Sequence, residues 1–466
     1  MSCHRSVVLL LSTLTACTAG PNYQMPADAV ARSTTANAPF SVAGEAAFSQ
    51  AAPPQRWWHL YDDPRLDIYI DEGLAANRDL RVADANLLEA SALVRVARAG
   101  ALPTTTLSAG GGLSRPLESR VTLGDSPGYT LGGGIAYPLD LAGGIRRGIE
   151  QAEDQAEAIT AVRDEARITV AAGIARSYVT ACSANRTYEA TMHALEIQRR
   201  TLDATERLFR GGRGATAFDV TRARAAVNQS AAALSLILAD HQAALLELGA
   251  LLGRVPRDYP KEAENCMEPP PLQRPLPIGD GVALLRRRPD LRAAERRLAA
   301  ATAAIGVETA QLYPQVSLGG AATFGGPPAA LAGGAPLGLS VGPLLSWTFP
   351  NQALARSRIA AAGAAAQATF AQFDSIVLQA LRETETALSN CARELDHQRE
   401  LKLARDNDAE AVSQAERLYR FGRTDFLSLL TAESNLAGAE SALAESQATL
   451  ANRQIDVFLA LGGGWE

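Results

Sequence analysis

Aromatic residues make up only 5% of this 466-residue chain, and histidine and cysteine occur five times each. Few aromatics beside abundant Ala and Gly argue against a bulky globular core and suit long, closely spaced helices. Five histidines leave metal catalysis little to work with. His241 has no second ligand at metal-binding spacing and reads as an interface histidine. Five cysteines make no disulfide framework. Cys3 falls within the N-terminal segment 1–16 and Cys17 directly follows it, while Cys182 and Cys391 on predicted helices and Cys266 in a linker read as buried free thiols. A periplasmic location would still permit one bridge. Basic charge is also short, with 44 Lys and Arg against 50 Asp and Glu and a net charge of -6, which gives no basic patch for nucleic acid. No G-x-x-x-x-G-K-[ST] loop appears, so nucleotide-driven work would need another protein.

Two apparent catalytic signals dissolve in context. Gly338-Leu339-Ser340-Val341-Gly342 matches G-x-S-x-G, but Pro343 and further strand follow where a nucleophile elbow needs a helix. Glu150, Glu153, Asp154 and Glu157 line one helical face, and a solvated stripe explains them better than paired catalytic carboxylates. No catalytic residue, metal site or cofactor is expected.

What is present is a repetition. Asp79-Leu80-Arg81 recurs as Asp290-Leu291-Arg292, Leu102-Pro103 as Tyr313-Pro314, and Leu208-Phe209-Arg210 as Leu418-Tyr419-Arg420, about 210 positions on. This reads as an internal tandem duplication, with repeats at 57–252 and 281–466. Between them, residues 253–280 hold a Pro-rich linker. At the N-terminus, Arg5 precedes the run Val7 to Leu11, too short to span a bilayer, and Leu14-Thr15-Ala16-Cys17 resembles a bacterial lipobox. Residues 1–16 read as a lipoprotein signal peptide, Cys17 as the acylated residue, and residues 17–56 as an extended tether. Two or three acyl chains would anchor the chain stably, at about 0.8 kcal/mol per buried methylene.

Each repeat opens with helix, at Trp57 to Arg98 and about Asp280 to Leu312. A Gly-rich segment follows, then a helix from about Ala142 to Leu208 or Ala353 to Arg420, roughly 100 Å long. After a glycine break come helices to Leu252 and Leu461. Leu429, Leu436, Leu443, Leu450 and Val457 are spaced by seven, matched by Val220, Val227, Leu234, His241 and Leu248, which is a coiled-coil seam.

The Gly-rich segments alternate with a period of two. Leu337, Leu339 and Val341 interleave with Gly338, Ser340 and Gly342, and Leu131, Ile135 and Tyr137 interleave with small residues. Segments of about ten residues with one apolar face are the mark of membrane β-strands, here hairpins at about 104–139 and about 315–348. Tyr137 and Trp347 stand at matching strand ends, where an aromatic girdle would lie in contact with outer-membrane lipid. Four strands per chain cannot close a barrel, since bacterial single-chain barrels need about eight, and open edges cannot be left in hydrocarbon. A homotrimer would supply twelve. The fold class is therefore α+β membrane protein: a trimeric twelve-stranded outer-membrane barrel continued by a long α-helical coiled-coil barrel.

Glycine breaks at Arg210-Gly211-Gly212-Arg213-Gly214 and Arg420-Phe421-Gly422-Arg423-Thr424-Asp425 close helical hairpins at the end farthest from the strands. Reversal alone explains the glycines. The functional alternative is a constriction and docking tip built from Gly212, Arg213, Tyr419, Gly422, Arg423 and Asp425.

In order along the chain, Gly20-Pro21-Asn22-Tyr23, Trp57-Trp58, Asp63-Pro64-Arg65-Leu66, Arg288-Pro289-Asp290-Leu291, Trp347-Thr348-Phe349-Pro350 and Arg417-Leu418-Tyr419-Arg420-Phe421-Gly422 resemble the TolC-like outer-membrane efflux family. Among its members the match is to the lipid-anchored outer-membrane factors of tripartite, RND-type multidrug pumps, of NodT type. The resemblance implies a homotrimer in the outer membrane of a Gram-negative bacterium, with a periplasmic helical barrel. It also implies passive export, a periplasmic adaptor protein and an energising inner-membrane RND-type transporter as partners. Family tips carry aspartates where this chain has Ser428 and Thr431, leaving Asp425 as the nearest acid. The same architecture could serve protein secretion or metal-ion efflux. A structural coiled-coil lipoprotein without a pore is the reading from a different class.

Overall fold

A computed structural model describes residues 18–114, 126–212, 214–272, 275–326, 337–349 and 352–463. The expected signal segment 1–16, Cys17 and Arg213 lie outside the described residues. The chain divides into two compact units, one within Met1–Pro26, Asn86–Thr160 and Ala293–Phe373, the other within Ala27–Ala85, Ala161–Arg292 and Asp374–Glu466.

The first unit holds a four-stranded antiparallel sheet of β2 (Thr104–Ser114), β3 (Ser126–Leu139), β5 (Gln315–Gly326) and β6 (Leu337–Ser346), in that order. The two hairpins join through β3 and β5, where Leu131 stands opposite Phe324, so β2 and β6 are the edges. Helical segments flank the sheet: parts of α2 (Arg78–Ala99), α3 (Gly144–Arg210), α6 (Pro289–Ala310) and α7 (Gln352–Arg420). On the acidic face Glu150, Glu153 and Glu157 are solvated as expected and also ion-paired, while Asp154 is largely buried. Glu153 takes Arg98 at 2.6 Å, Glu150 takes Arg147 at 2.6 Å, and Asp154 and Glu157 share Arg296 at 3.4 and 3.3 Å. Burial pushes the Asp154 carboxyl up to about 6 against the opposing pull of Arg296. Arg147 is a local partner on the same helix, but Arg98 and Arg296 come from distant helices, which the sequence could not show.

The second unit buries Trp57, Leu66 and Ile70 against Ile174, Tyr178, Leu248 and Phe458. Trp57 stacks on Phe458 with ring centroids 4.9 Å apart. The stretch expected as one helix from Trp57 breaks twice. Asp63 caps α1 (Pro64–Ala76) by accepting from the Arg65 amide at 2.9 Å. Asn77 then caps α2, accepting from the Asp79 amide at 2.9 Å. The matching stretch in the second half breaks at Arg288, held extended before Pro289, between α5 (Gly281–Arg287) and α6. The long helices end at Arg210 and Arg420, followed by α4 (Ala217–Leu251) and α8 (Phe426–Ala460). All ten seam positions are buried or half-buried, His241 among them.

The segment read as a tether is anchored at intervals by buried residues. Phe40 and Phe48 are buried, and β1 (Phe48–Ser49) pairs in parallel with β4 (Leu276–Pro277) of the Pro-rich linker. The thiol expectation needs correction: Cys182 and Cys266 form a disulfide with Cα atoms 4.7 Å apart, tying the linker to α3. Cys391 stays free and buried. An interrupted, proline-rich linker gives no periodicity from which its path back to α3 could be read.

Candidate functional site

Strand register decides which side chains share a face of the sheet. One row runs Leu107, Gly133, Ala322, Leu339 and the next Thr105, Ile135, Gly320, Val341. Across the sheet, the opposite face shows Thr106, Gly134, Ala321, Ser340 and then Ser108, Gly132, Thr323, Gly338. Leu107 is 91% exposed, Val341 87% and Leu339 75%, although all three are large and apolar. The described strands contain no charged residue on either face. An apolar face of this kind is matched to hydrocarbon, and a small, hydroxyl-bearing face to water. The one large apolar side chain on the small face is Leu344, which leans over Gly319, where a Cβ would stand 2.5 Å from its Cδ1.

Aromatic side chains flank this sheet at both ends. Tyr137 lies opposite Leu318, and Trp347 directly follows β6, so both stand at the end of the sheet where β3 and β6 finish. Both are exposed, and Trp347 meets Phe349 at 5.4 Å. Tyr129 and Phe324, 5.9 Å apart, mark the other end of the sheet, a pair the sequence reading did not single out. Only pairing of β3 with β5 brings them together, so no local spacing signals it. Gly338 to Gly342 lies in the interior of β6, which runs on to Ser346 with no turn into a helix.

The helical tip is built by capping chemistry. Gly422 has a positive φ of 69°, and its amide donates to the Tyr419 carbonyl at 2.9 Å while that of Arg423 donates to Leu418 at 2.9 Å. Asp425 caps α8, accepting from the Ser428 amide at 2.7 Å, which holds its carboxyl below the usual range. Tyr419 is half-buried with its ring 6.1 Å from that of Phe426, and burial raises its hydroxyl pKa. Arg423 is exposed and makes no ion pair among the described residues, so within one chain it does not meet Asp425. Thr431 spends its hydroxyl on the Leu427 carbonyl at 2.8 Å. At the other hairpin Gly212 has a φ of 64°, and Thr216 with Asp219 forms a reciprocal capping box. His241 has its Nε2 buried without a hydrogen-bond partner, and burial lowers its pKa, which favours the neutral ring. Among the described residues no group of three His, Cys, Asp or Glu could hold a metal ion.

Comparison with known proteins agrees with this geometry. The family model described as "Outer membrane efflux protein" matches residues 69–254 and again 282–463. The chain is similar to nodulation protein T of Rhizobium leguminosarum bv. trifolii, 28% identical over 97% of this chain and 95% of that protein. It is 30% identical to the toluene efflux pump outer membrane protein TtgI of Pseudomonas putida, over 98% of this chain and 97% of that protein. Among solved structures, the outer-membrane channel OprN superposes with a TM-score of 0.88 at 34% identity, covering 96% of this chain and 100% of that one.

Proposed function

The chain belongs to the outer membrane efflux protein family, and from that premise we propose that three copies close one duct through which a tripartite pump expels small solutes. The protein is an outer-membrane component of efflux, with a periplasmic helical extension. One observation carries the trimer: β2 and β6 are open edges of a sheet that bears no charge and exposes leucine and valine. Unpaired edge groups cost several kcal/mol each in hydrocarbon, so each β6 takes the β2 of a neighbouring copy. Three four-stranded sheets make a twelve-stranded barrel, its small, hydroxyl-bearing face turned to the lumen. The two separate family matches support a duplicated chain, and with it a near six-fold ring of helices.

A lumen lined by Thr, Ser, Gly and Ala selects little, so an inner-membrane RND-type transporter sets specificity and supplies energy, and a periplasmic adaptor bridges the two. The toluene efflux relative supports small apolar solutes among the cargo. Cys17 is the acylation site. Thr18 packs on Gly143, and the Ala19 amide donates to the Ala142 carbonyl at 2.9 Å, which fixes residues 18 and 19 beside the end of β3. Tip residues Tyr419, Gly422, Arg423 and Asp425, with Gly212 and Arg213, form the constriction and the adaptor-facing end. Planar-bilayer recording tests the reading. Discrete ion-conducting steps are expected, and a protein that inserts without conducting would remove the duct.

A further inference from the structure

Helices α3 and α8 run antiparallel along a seam marked by three side-chain contacts. Arg176 meets Asp456 at 2.5 Å, His193 meets Glu440 at 3.6 Å, and the Thr201 hydroxyl donates to Glu433 Oε2 at 2.7 Å. Along α3 the buried side changes character toward the tip. Ala181, Cys182 and Leu195 give way to Gln198, Thr201 and Thr205, all still buried. On α8, Phe426, Leu429, Leu430 and Leu436 stay apolar, and Glu433 sits buried among them at 6% exposure. Its carboxylate has one hydrogen bond, from Thr201, and no cation pairs with it among the described residues. The buried Oε1 of Gln198, one turn away on α3, has no partner.

The charged neighbours do not neutralise it. From α7, Glu416 acts on Glu433 with the same sign. On α3, Glu196 is paired with Arg200 and Asp203 with Arg207, all on exposed surface, and Glu206 is held by Arg210 and by Arg224 of α4. A carboxylate in a seam, without a cation, is costly when ionised and tolerable when protonated.

We propose that Glu433 is a proton-operated latch on the helical tip. Neutral, it packs as a hydrogen-bonded polar residue and keeps the distal α3–α8 seam closed; ionised, it loosens that seam and the reversals beyond it. Burial raises its pKa, the Thr201 hydrogen bond opposes the rise, and Glu416 adds to it. The packed seam therefore favours the protonated form. Its contribution is complete below the ordinary glutamate pKa and is lost as pH rises through the raised value. The consequence for the tip rests on the duct reading, whereas the packing claim does not.

Amide hydrogen exchange of the full-length protein in detergent reads the seam whether or not the protein conducts, so failure of the duct reading stays distinguishable. After correction for intrinsic rates, amides in 198–210 and 426–436 are expected to exchange severalfold faster at about pH 8 than at about pH 5. Glu433→Gln should abolish that dependence. Thr201→Val, which removes the opposing hydrogen bond, should move it to higher pH and serves if the glutamine variant fails to fold. Wild-type protein without the dependence, or Glu433→Gln protein that keeps it, overturns the latch.

Discussion

Arg147 donates from Nη2 to Oδ1 of Asn22 at 2.6 Å, and from Nε to the Ala19 carbonyl at 3.0 Å. Its side chain is almost wholly buried, and Gly306 lies beneath it, where a Cβ would stand 2.7 Å from Arg147 Cγ. Gly20, at a positive φ of 79°, rests against the same Gly306. The N-terminal segment is thus clamped between α3 and α6 by one guanidinium and two glycines. Replacing Arg147 by Ala removes charge-assisted hydrogen bonds worth about 1.5–3 kcal/mol each. Limited proteolysis should then cut residues 18–26 in the variant and spare them in the wild type.

The Cys182–Cys266 bridge spans 84 residues of chain and holds the linker against α3. Loss of a bridge of this span costs about 2–5 kcal/mol. Cys182→Ala with Cys266→Ala, or reduction of the wild type, should lower stability by a similar amount, read as a lower thermal unfolding midpoint in detergent. Cys391, fully buried, should react with a thiol reagent only after unfolding.

At the tip, capping and charge can be separated at Asp425. Asp425→Asn keeps a side-chain acceptor for the Ser428 amide and removes the charge, while Asp425→Ala removes both. The alanine variant should lose about 1 kcal/mol of stability and the asparagine variant little. Closed-state conductance that rises in both variants alike assigns the gate to charge; unchanged conductance in both takes Asp425 out of it.

The two sheet faces predict opposite responses to one substitution at adjacent residues. Leu339→Arg places a guanidinium on the apolar face and should cost about 2–4 kcal/mol near the bilayer midplane. Ser340→Arg places it on the small face, where assembly should persist and single-channel conductance change. Heat-modifiable migration on gels reads the first, planar-bilayer recording the second. Equal tolerance at both sites would contradict the facing.

Much of this was legible from local pattern. The period of two at Leu337 to Val341 and Leu131 to Tyr137 places strands that the structure forms, and the seven-residue spacing from Leu429 to Val457 marks a seam that is in fact covered. Helix ends at Arg210 and Arg420 fall one and two residues before Gly211 and Gly422. What escaped depends on distant partners. Asp154 with Arg296, Tyr129 with Phe324 and Cys182 with Cys266 are set by packing between segments far apart in sequence. The capping role of Asp425 escaped for another reason: a cap and a gate acid ask for the same residue type, so the residue alone does not announce the cap.

The mass of the purified particle tests the central claim most directly. Native mass spectrometry from detergent should return three chains, because each sheet ends in β2 and β6 and must be completed by its neighbours. A particle of one chain, with its strand edges unpaired, would contradict it.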